Sequence, residues 1–401
     1  MNPARLAHLR DQYRSALLDD VVPFWLRHSL DQEQGGYFTL LDRDGSLYGT
    51  DKPVWLQGRE IWLFATLYAD VEKRPEWLAA AELGLRFLEA HCFDANGKMY
   101  FAVTREGRPL RMRRYVFSEV FACLAYAAMY RATGTGRYRD RAAEMFARFL
   151  RYLRTPGLAA PKVDPATRPM KGLSPLMCLL NMAETLARCG IDSAPSVLGS
   201  PPVSIETVLE DTIAEILRDF VKPQRNCVLE TVAPNGSAVD GPDGRVMNPG
   251  HAIECAWFML ETAQRRQRPD LVTAALSIAR MSLERGWDAT YGGLLYFVDV
   301  EGKPATQLEH DMKLWWPHNE ALIATLMLHQ MTGDADMERR FEKLHEWTFA
   351  HFPDPQHGEW YGYLHRDGSV STPIKGGMWK GAFHVPRGLL YCWKMLEKAT
   401  H

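Results

Sequence analysis

The stretch GGYFTLLDRDGS, Gly35 to Ser46, opens on paired glycines, runs through aromatic and aliphatic residues and ends at a glycine turn. Such a run closed by a turn glycine reads as a β-hairpin. The same design returns in NGKMYFAVTREGR (Asn96–Arg108), GGLLYFVDVEGK (Gly292–Lys303) and GEWYGYLHRDGS (Gly358–Ser369). VLETVAPNGSAV (Val228–Val239) is a weaker copy. Neighbouring copies stand about 60–65 residues apart where they are consecutive, which marks a structural repeat.

Between the copies, apolar residues recur at helical spacing. The periodicity predicts about twelve helices, over roughly 4–28, 55–72, 76–92, 115–133, 137–154, 174–189, 204–221, 250–266, 269–286, 312–332, 336–351 and 380–398. They group as six pairs. One helix of a pair is often charged, as in DMERRFEKLHEWTFAHF (Asp336–Phe352); the other is apolar, as in WPHNEALIATLMLHQM (Trp316–Met331) and HAIECAWFMLETA (His251–Ala263). Amphipathic helices wrapped around apolar ones predict two concentric layers, an all-α (α/α)6 barrel with short hairpins in its connections. An open α-solenoid has similar pairs; the long hairpins and the chain length favour closure. Nothing resembles an interdomain linker, so residues 1–401 are expected to form a single barrel domain, with 155–173 and 193–203 as loops.

Composition narrows the function. The chain carries 47 Lys and Arg against 49 Asp and Glu, a net charge of −2, which argues against a nucleic-acid binder. The short cluster Arg111, Arg113 and Arg114 is expected to solvate a surface. Seven cysteines with no C-x-x-C pair are expected to be reduced, mostly buried thiols of a cytoplasmic protein. The N-terminal residues are charged and lack the apolar core of a secretory signal, and no run is long enough for a transmembrane helix.

In a two-layer barrel the pocket lies where inner helices begin. Four such places carry unusual residues. VWLQGREIW sets Trp55 and Arg59 at one start, and NPGHAIE sets His251 and Glu254 at another. KLWWPHNEA sets Trp316, His318 and Glu320 at a third, and GMWKGAFHVPR sets Trp379, His384 and Arg387 at the last. A Gly or Pro pins each start. One His or Glu at a helix start is usually a cap or a satisfied core group, and Glu254 alone could be a first-turn carboxylate favoured by the helix dipole. Four starts that each pair a His, Arg or Glu with an aromatic ring point instead to one pocket. Aromatic platforms beside charged donors suit a carbohydrate. Phosphate-binding glycine loops and H-E-x-x-H are absent, and His318 and Glu320, two apart, would face different ways on a helix. GLSPL (Gly172–Leu176) lacks the strand-to-helix form of a nucleophile elbow.

The ordered series GGYFTLLDRDG, VWLQGR, FSE (Phe117–Glu119), NPGHAIECAWF, GWD-x-x-YGGLLYF, TQLEHDMKLWWPHNEA, DPQHGEWYGYLHRDGSV and IKGGMWKGAFHVPR resembles the N-acylglucosamine 2-epimerase family over nearly the whole chain. The match is weakest over about 155–210. Ala382 and Gly388 stand where the family commonly has Cys. The resemblance implies an (α/α)6 barrel and interconversion of N-acetylglucosamine and N-acetylmannosamine. Inversion beside a carbonyl needs an open-chain sugar, removal of the C2 proton to an enediolate, and return of a proton on the other face. Histidine suits both steps near neutrality.

His251 and His384 are expected to be the two proton-transfer groups, as the resemblance also suggests. Glu254 and Glu320 are candidates to orient them or to assist ring opening, and Arg59 to stabilise the enediolate charge. Trp55, Trp316 and Trp379 would shape the pocket, Arg387 support His384 or contact substrate, and His318 assist ring opening or support the site. Lys171 is a weaker assignment from the poorly matching region. The resemblance implies no required cofactor, ATP only as an allosteric activator, and a homodimer; no nucleic acid or membrane partner is expected. The alternatives are a sister epimerase or isomerase of unmodified mannose or glucose, a glycoside hydrolase, which would need two opposed carboxylates, and a non-catalytic binding protein.

Overall fold

The computed structural model of the protein describes residues 1–112, 116–160 and 163–400. Arg113 and Arg114 of the basic cluster lie outside the described residues; Arg111 is exposed. The outer layer consists of α1 (Pro3–Ser15), which runs through a π-helical stretch (Ala16–Val21) into α2 (Val22–His28), then α4 (Pro75–His91), α6 (Gly136–Arg154), α8 (Ile205–Asp219), α10 (Pro269–Gly286) and α12 (Ala335–His351). The inner layer consists of α3 (Val54–Asp70), α5 (Phe117–Thr133), α7 (Leu173–Arg188), α9 (Pro249–Arg266), α11 (Trp315–Thr332) and α13 (His384–Ala399). Each residue of α11 from Trp315 to Leu328 is buried, whereas α6 buries one stripe, including Met145, Phe146 and Phe149, and exposes its arginines Arg137 and Arg139. That contrast is what enclosure on all sides and on one side requires. The architecture is the (α/α)6 barrel. Among the described residues, no helix is long and apolar enough to cross a membrane.

The hairpin copies differ from the sequence expectation in one respect. Two of them do not pair mainly with themselves. Val298–Asp299 pairs with Val246–Met247, and Thr231–Val232 pairs with Lys171–Gly172. Ala102–Val103 and Tyr363–Leu364 pair both with their own return strands and with Lys52–Pro53 and Lys313–Leu314 respectively. Each copy thus caps the segment entering an earlier inner helix, which gives an otherwise open strand edge a partner. This pairing also moves the start of α11 from the expected 312 to Trp315, because Lys313 and Leu314 are extended.

A buried carboxylate repeats with the unit. Asp31 receives Lys52 Nζ at 2.9 Å and Arg105 Nε at 2.9 Å, and Asp288 receives Lys313 Nζ at 3.0 Å and Arg366 Nε at 2.8 Å. Asp354 receives Lys375 Nζ at 3.0 Å and Arg43 Nε at 2.8 Å. The arginine always comes from the hairpin one unit on. For Asp354, in the last unit, that hairpin is the first one in the chain, so Arg43 joins the end of the ring to its beginning. Burial alone would raise these carboxyls, but the hydrogen bonds from Arg and Lys hold all three well below the usual range. Burial lowers Lys313 and Lys375 to about 8, so both stay charged at neutral pH.

A lysine buried this completely needs its counter-ion. Asp354→Ala should therefore cost about 3–5 kcal/mol in urea denaturation, because it leaves Lys375 unpaired in the interior. Arg43→Ala removes the half-exposed end of the same network and should cost less than about 1 kcal/mol. Equal losses for the two variants would contradict this account.

Candidate active site

The inner-helix starts surround a cavity of about 710 Å³. Its walls include Trp55 and Arg59 from α3, Phe121 from α5, Met177, Cys178 and Asn181 from α7, and His251, Glu254 and Phe258 from α9. Trp315 and Trp316 from α11, His384 and Arg387 from α13, and Glu230, Tyr296, Tyr363 and Trp379 from the connections also face it.

Local sequence fixes where each group sits. The Asn248 side chain accepts the His251 N–H at 3.1 Å and Pro249 holds the first helical position, so α9 begins with His251 one turn in. Gly250 is required by packing: a Cβ there would lie 2.6 Å from the Trp316 ring. Its absence lets Trp316 lie 5.1 Å from the His251 ring and 5.8 Å from the His384 ring, so one indole touches both imidazoles. Gly388 acts similarly between α13 and α11, since a Cβ would approach Asn319 Oδ1 to 2.4 Å. A cysteine at this position would have to displace Asn319.

His251 and His384 are each tied to a carboxylate through Nδ1. For His251 the partner is Glu230, with oxygens at 3.0 and 3.1 Å; for His384 it is Glu320 Oε1 at 2.7 Å. Glu320 does not line the cavity. It lies behind His384, where its Oε2 accepts Trp257 Nε1–H at 2.8 Å, and Arg387 donates at 2.6 Å to the same Oε1 that meets His384. Arg387 also binds Glu254, so one guanidinium bridges two carboxylates. Burial pushes Glu320 upward and the Arg387 charge opposes it; burial works against the Arg387 charge, yet Glu320 and Glu254 together raise it. Glu254, Glu320 and His384 have ligand atoms within 4.8 Å of one another, close enough to share a metal ion. The cation between the carboxylates is the guanidinium.

Arg59 is the anomaly of the site. It is 7% exposed and stacked by three rings, its guanidinium 4.4 Å from the centre of Trp55, 4.1 Å from Phe121 and 4.8 Å from Phe383. It makes no ion pair and no hydrogen bond among the described residues, and its Nε is buried without a partner. Burial, and then the nearby Arg387 charge, push it down to about 9, still cationic at neutrality. Burial and the charges of Arg59 and Arg387 drive His384 well below its ordinary value. Two guanidiniums and two carboxylates balance around a neutral imidazole. With its Nδ1–H given to Glu320, His384 can accept a proton at Nε2.

Two expected site residues lie elsewhere. His318 is fully buried away from the cavity: its Nδ1 donates to Leu314 O at 2.7 Å, its Nε2 accepts Leu294 N–H at 2.9 Å, and its ring stacks on Trp347. Burial lowers it to about 3. The repeat accounts for this. Gln57 holds Tyr37 N–H and Glu119 holds Met99 N–H in the same way, so His318 fills a structural position that grips a hairpin. Lys171 is also absent from the lining; its ammonium is held by Glu215 at 2.8 Å and Asp219 at 2.5 Å of α8. Sequence reasoning missed Glu230, which sits in the weakest hairpin copy, 21 residues before its partner.

Residues 36–385 match the family model described as N-acylglucosamine 2-epimerase (GlcNAc 2-epimerase). The chain is 43% identical over 389 residues to N-acylglucosamine 2-epimerase of Bos taurus, covering 95% of this chain and 89% of that protein. It is 40% identical over 388 residues to the Homo sapiens protein of the same name, covering 94% and 88%. The structure of cellobiose 2-epimerase from Spirochaeta thermophila superposes with a TM-score of 0.82 at 21% identity, over 99% of both chains.

Proposed function

The chain belongs to the N-acylglucosamine 2-epimerase family, and from that premise we propose that it interconverts N-acetylglucosamine and N-acetylmannosamine. The observation that carries this reading is the composition of the cavity wall. Two histidines on different inner helices, each with Nδ1 tied to its own carboxylate, share it with an arginine that has no ion-pair or hydrogen-bond partner among the described residues. A single histidine could remove a C2 proton; a second is what returns one to the other face.

The open-chain aldehyde makes C2–H acidic. One imidazole takes that proton at Nε2, and the electron pair passes to the carbonyl oxygen, leaving an enolate whose C2 keeps its acetamido group. The other imidazole, already protonated, delivers its proton to the opposite face of C2, and the carbonyl reforms. Arg59, a fixed cation in an aromatic cage, faces the developing oxyanion. Glu254 lines the cavity with one oxygen on Arg387 and is assigned to ring opening; Arg387 holds Glu254 and Glu320 in place. Trp55, Trp316 and Trp379 enclose the sugar and keep water away. The reaction consumes no cofactor, and kinship with the family supports a cytoplasmic homodimer in which ATP acts as an allosteric activator, away from the chemistry.

Proton NMR in heavy water tests the reading. Incubation with N-acetylglucosamine or N-acetylmannosamine should exchange the C2 proton and yield the same mixture from either side. Glucose and mannose should react far more slowly. Turnover of the unmodified hexoses alone would overturn it.

A further inference from the structure

The segments that follow the outer helices share one backbone pattern. The N–H groups of Phe38, Tyr100, Leu229, Leu295 and Tyr361 each bond the carbonyl at the end of the preceding outer helix, on Ser29, Cys92, Phe220, Gly286 and Phe352. The next residue in each copy therefore occupies an equivalent place: Thr39, Phe101, Glu230, Tyr296 and Gly362. Glu230 is the one carboxylate among these five. The barrel does not ask for a carboxylate there, since Phe, Tyr, Thr and Gly all serve. Glu230 is also rigidly held: its N–H donates to Val246 O at 2.9 Å and its carbonyl accepts Leu173 N–H at 2.9 Å, so the strand entering α9 and the first residue of α7 both fix it. From that place its carboxylate meets His251 Nδ1 with both oxygens.

Resting on the epimerase reading, we propose that Glu230 is a positioning residue that fixes His251 with its proton on Nδ1 and supports the imidazolium formed when Nε2 is protonated. The two imidazoles then differ in kind. Glu320 is shared among His384, Arg387 and Trp257, and two arginines disfavour a proton on that ring. No arginine or lysine bonds the Glu230 carboxylate among the described residues, so its charge acts on His251. The other titratable or charged groups lining this cavity are Glu254 on the same helix as His251, Glu309 on the loop before α11, and Arg59, His384 and Arg387 on α3 and α13. The carboxylate thus favours the monoprotonated form with the proton on His251 and His384 as the empty base, the form that starts one direction of the reaction; the other direction starts from the opposite form.

The test is Glu230→Gln beside Glu230→Asp, assayed in both directions across pH. Gln retains an acceptor for Nδ1–H but removes the charge. It should lower kcat about 30-fold with little change in KM, a smaller loss than the roughly 10²- to 10⁴-fold that removing the acid–base group itself costs. The carboxylate raises the affinity of His251 for its proton, so its removal should move the basic limb of the kcat/KM profile to lower pH. Asp should restore the limb toward that of the parent. A Gln variant with near-parental kcat would overturn the inference, as would a slow variant whose basic limb stays in place and is not rescued by Asp. If the parent enzyme itself exchanges neither acetylated sugar, the epimerase reading falls first and this inference with it.

Discussion

Replacing His384 by asparagine should reduce kcat by roughly 10³- to 10⁴-fold while the protein folds as before, and His251→Asn should do the same. The reason is the division of labour at C2. In the proposed mechanism each imidazole acts on one face, and neither has a second base beside it: the neighbouring carboxylates Glu230, Glu254 and Glu320 are engaged with His251, Arg387 and His384. Asparagine keeps a polar group near Glu320 and Glu230, so the substitution leaves no buried carboxylate stripped of donors. The environment of His384 adds a pH signature. Burial and two arginines hold its affinity for a proton well below the ordinary value. The free base therefore persists into mildly acid solution, and the acid limb of kcat/KM should lie below about pH 6.5, the reference for imidazole. Assays of the parent enzyme across pH together with the two variants decide the matter. Retention of more than about a tenth of parental kcat by either variant would remove that histidine from the proton-transfer pair.

The sequence made the two layers readable because burial writes itself into composition. α11 is apolar on all sides and α12 is striped, and their contrast survives any uncertainty about where each begins. The hairpin repeat was equally visible, down to the arginine that recurs in LDRDG, VTREG and LHRDG. What those arginines do was not visible. Arg43 meets Asp354 across 311 residues, a contact that exists only once the ring has closed. The π-helical stretch at Ala16–Val21 also left no mark, since its residues carry the same apolar spacing as the turns around it.

Most of the polar letters at inner-helix starts meet at one cavity, but not all of them face it. Helical spacing sends His318 and Glu320 in different directions, and the structure shows where: Glu320 backs His384, while His318 grips the hairpin at Leu294. Gln57 and Glu119 perform the same task with different chemistry, so no residue type betrays the position. Lys171 reads as a pocket cation only if α8 is ignored, because its partners Glu215 and Asp219 come from a helix that the local sequence cannot place. Glu230 went unread because the copy that holds it is the one whose pattern has decayed most.

Arg59→Met should separate activity from stability. Methionine fills much of the space among Trp55, Phe121 and Phe383 and makes favourable contacts with aromatic rings. It carries no charge to meet an oxyanion, so kcat should fall on the order of 10²- to 10³-fold, the loss seen when one preorganised donor is removed from such a site. The fold should lose nothing. A guanidinium with no carboxylate or hydrogen-bond partner among the described residues, and with Nε buried unpaired, is an unfavourable thing to enclose. Removing it should leave the melting temperature unchanged or raise it. Arg59→Lys is the second half of the argument. It keeps the charge but not the planar donor fork, so it should recover part of the rate and none of the added stability. If Arg59 were there to hold the barrel together, the order would reverse: Met would melt early and Lys would behave as the parent. A cation kept in an aromatic cage at a cost to stability is what a site waiting for a transient anion requires, and the pair of melting curve and rate measures both sides of that exchange.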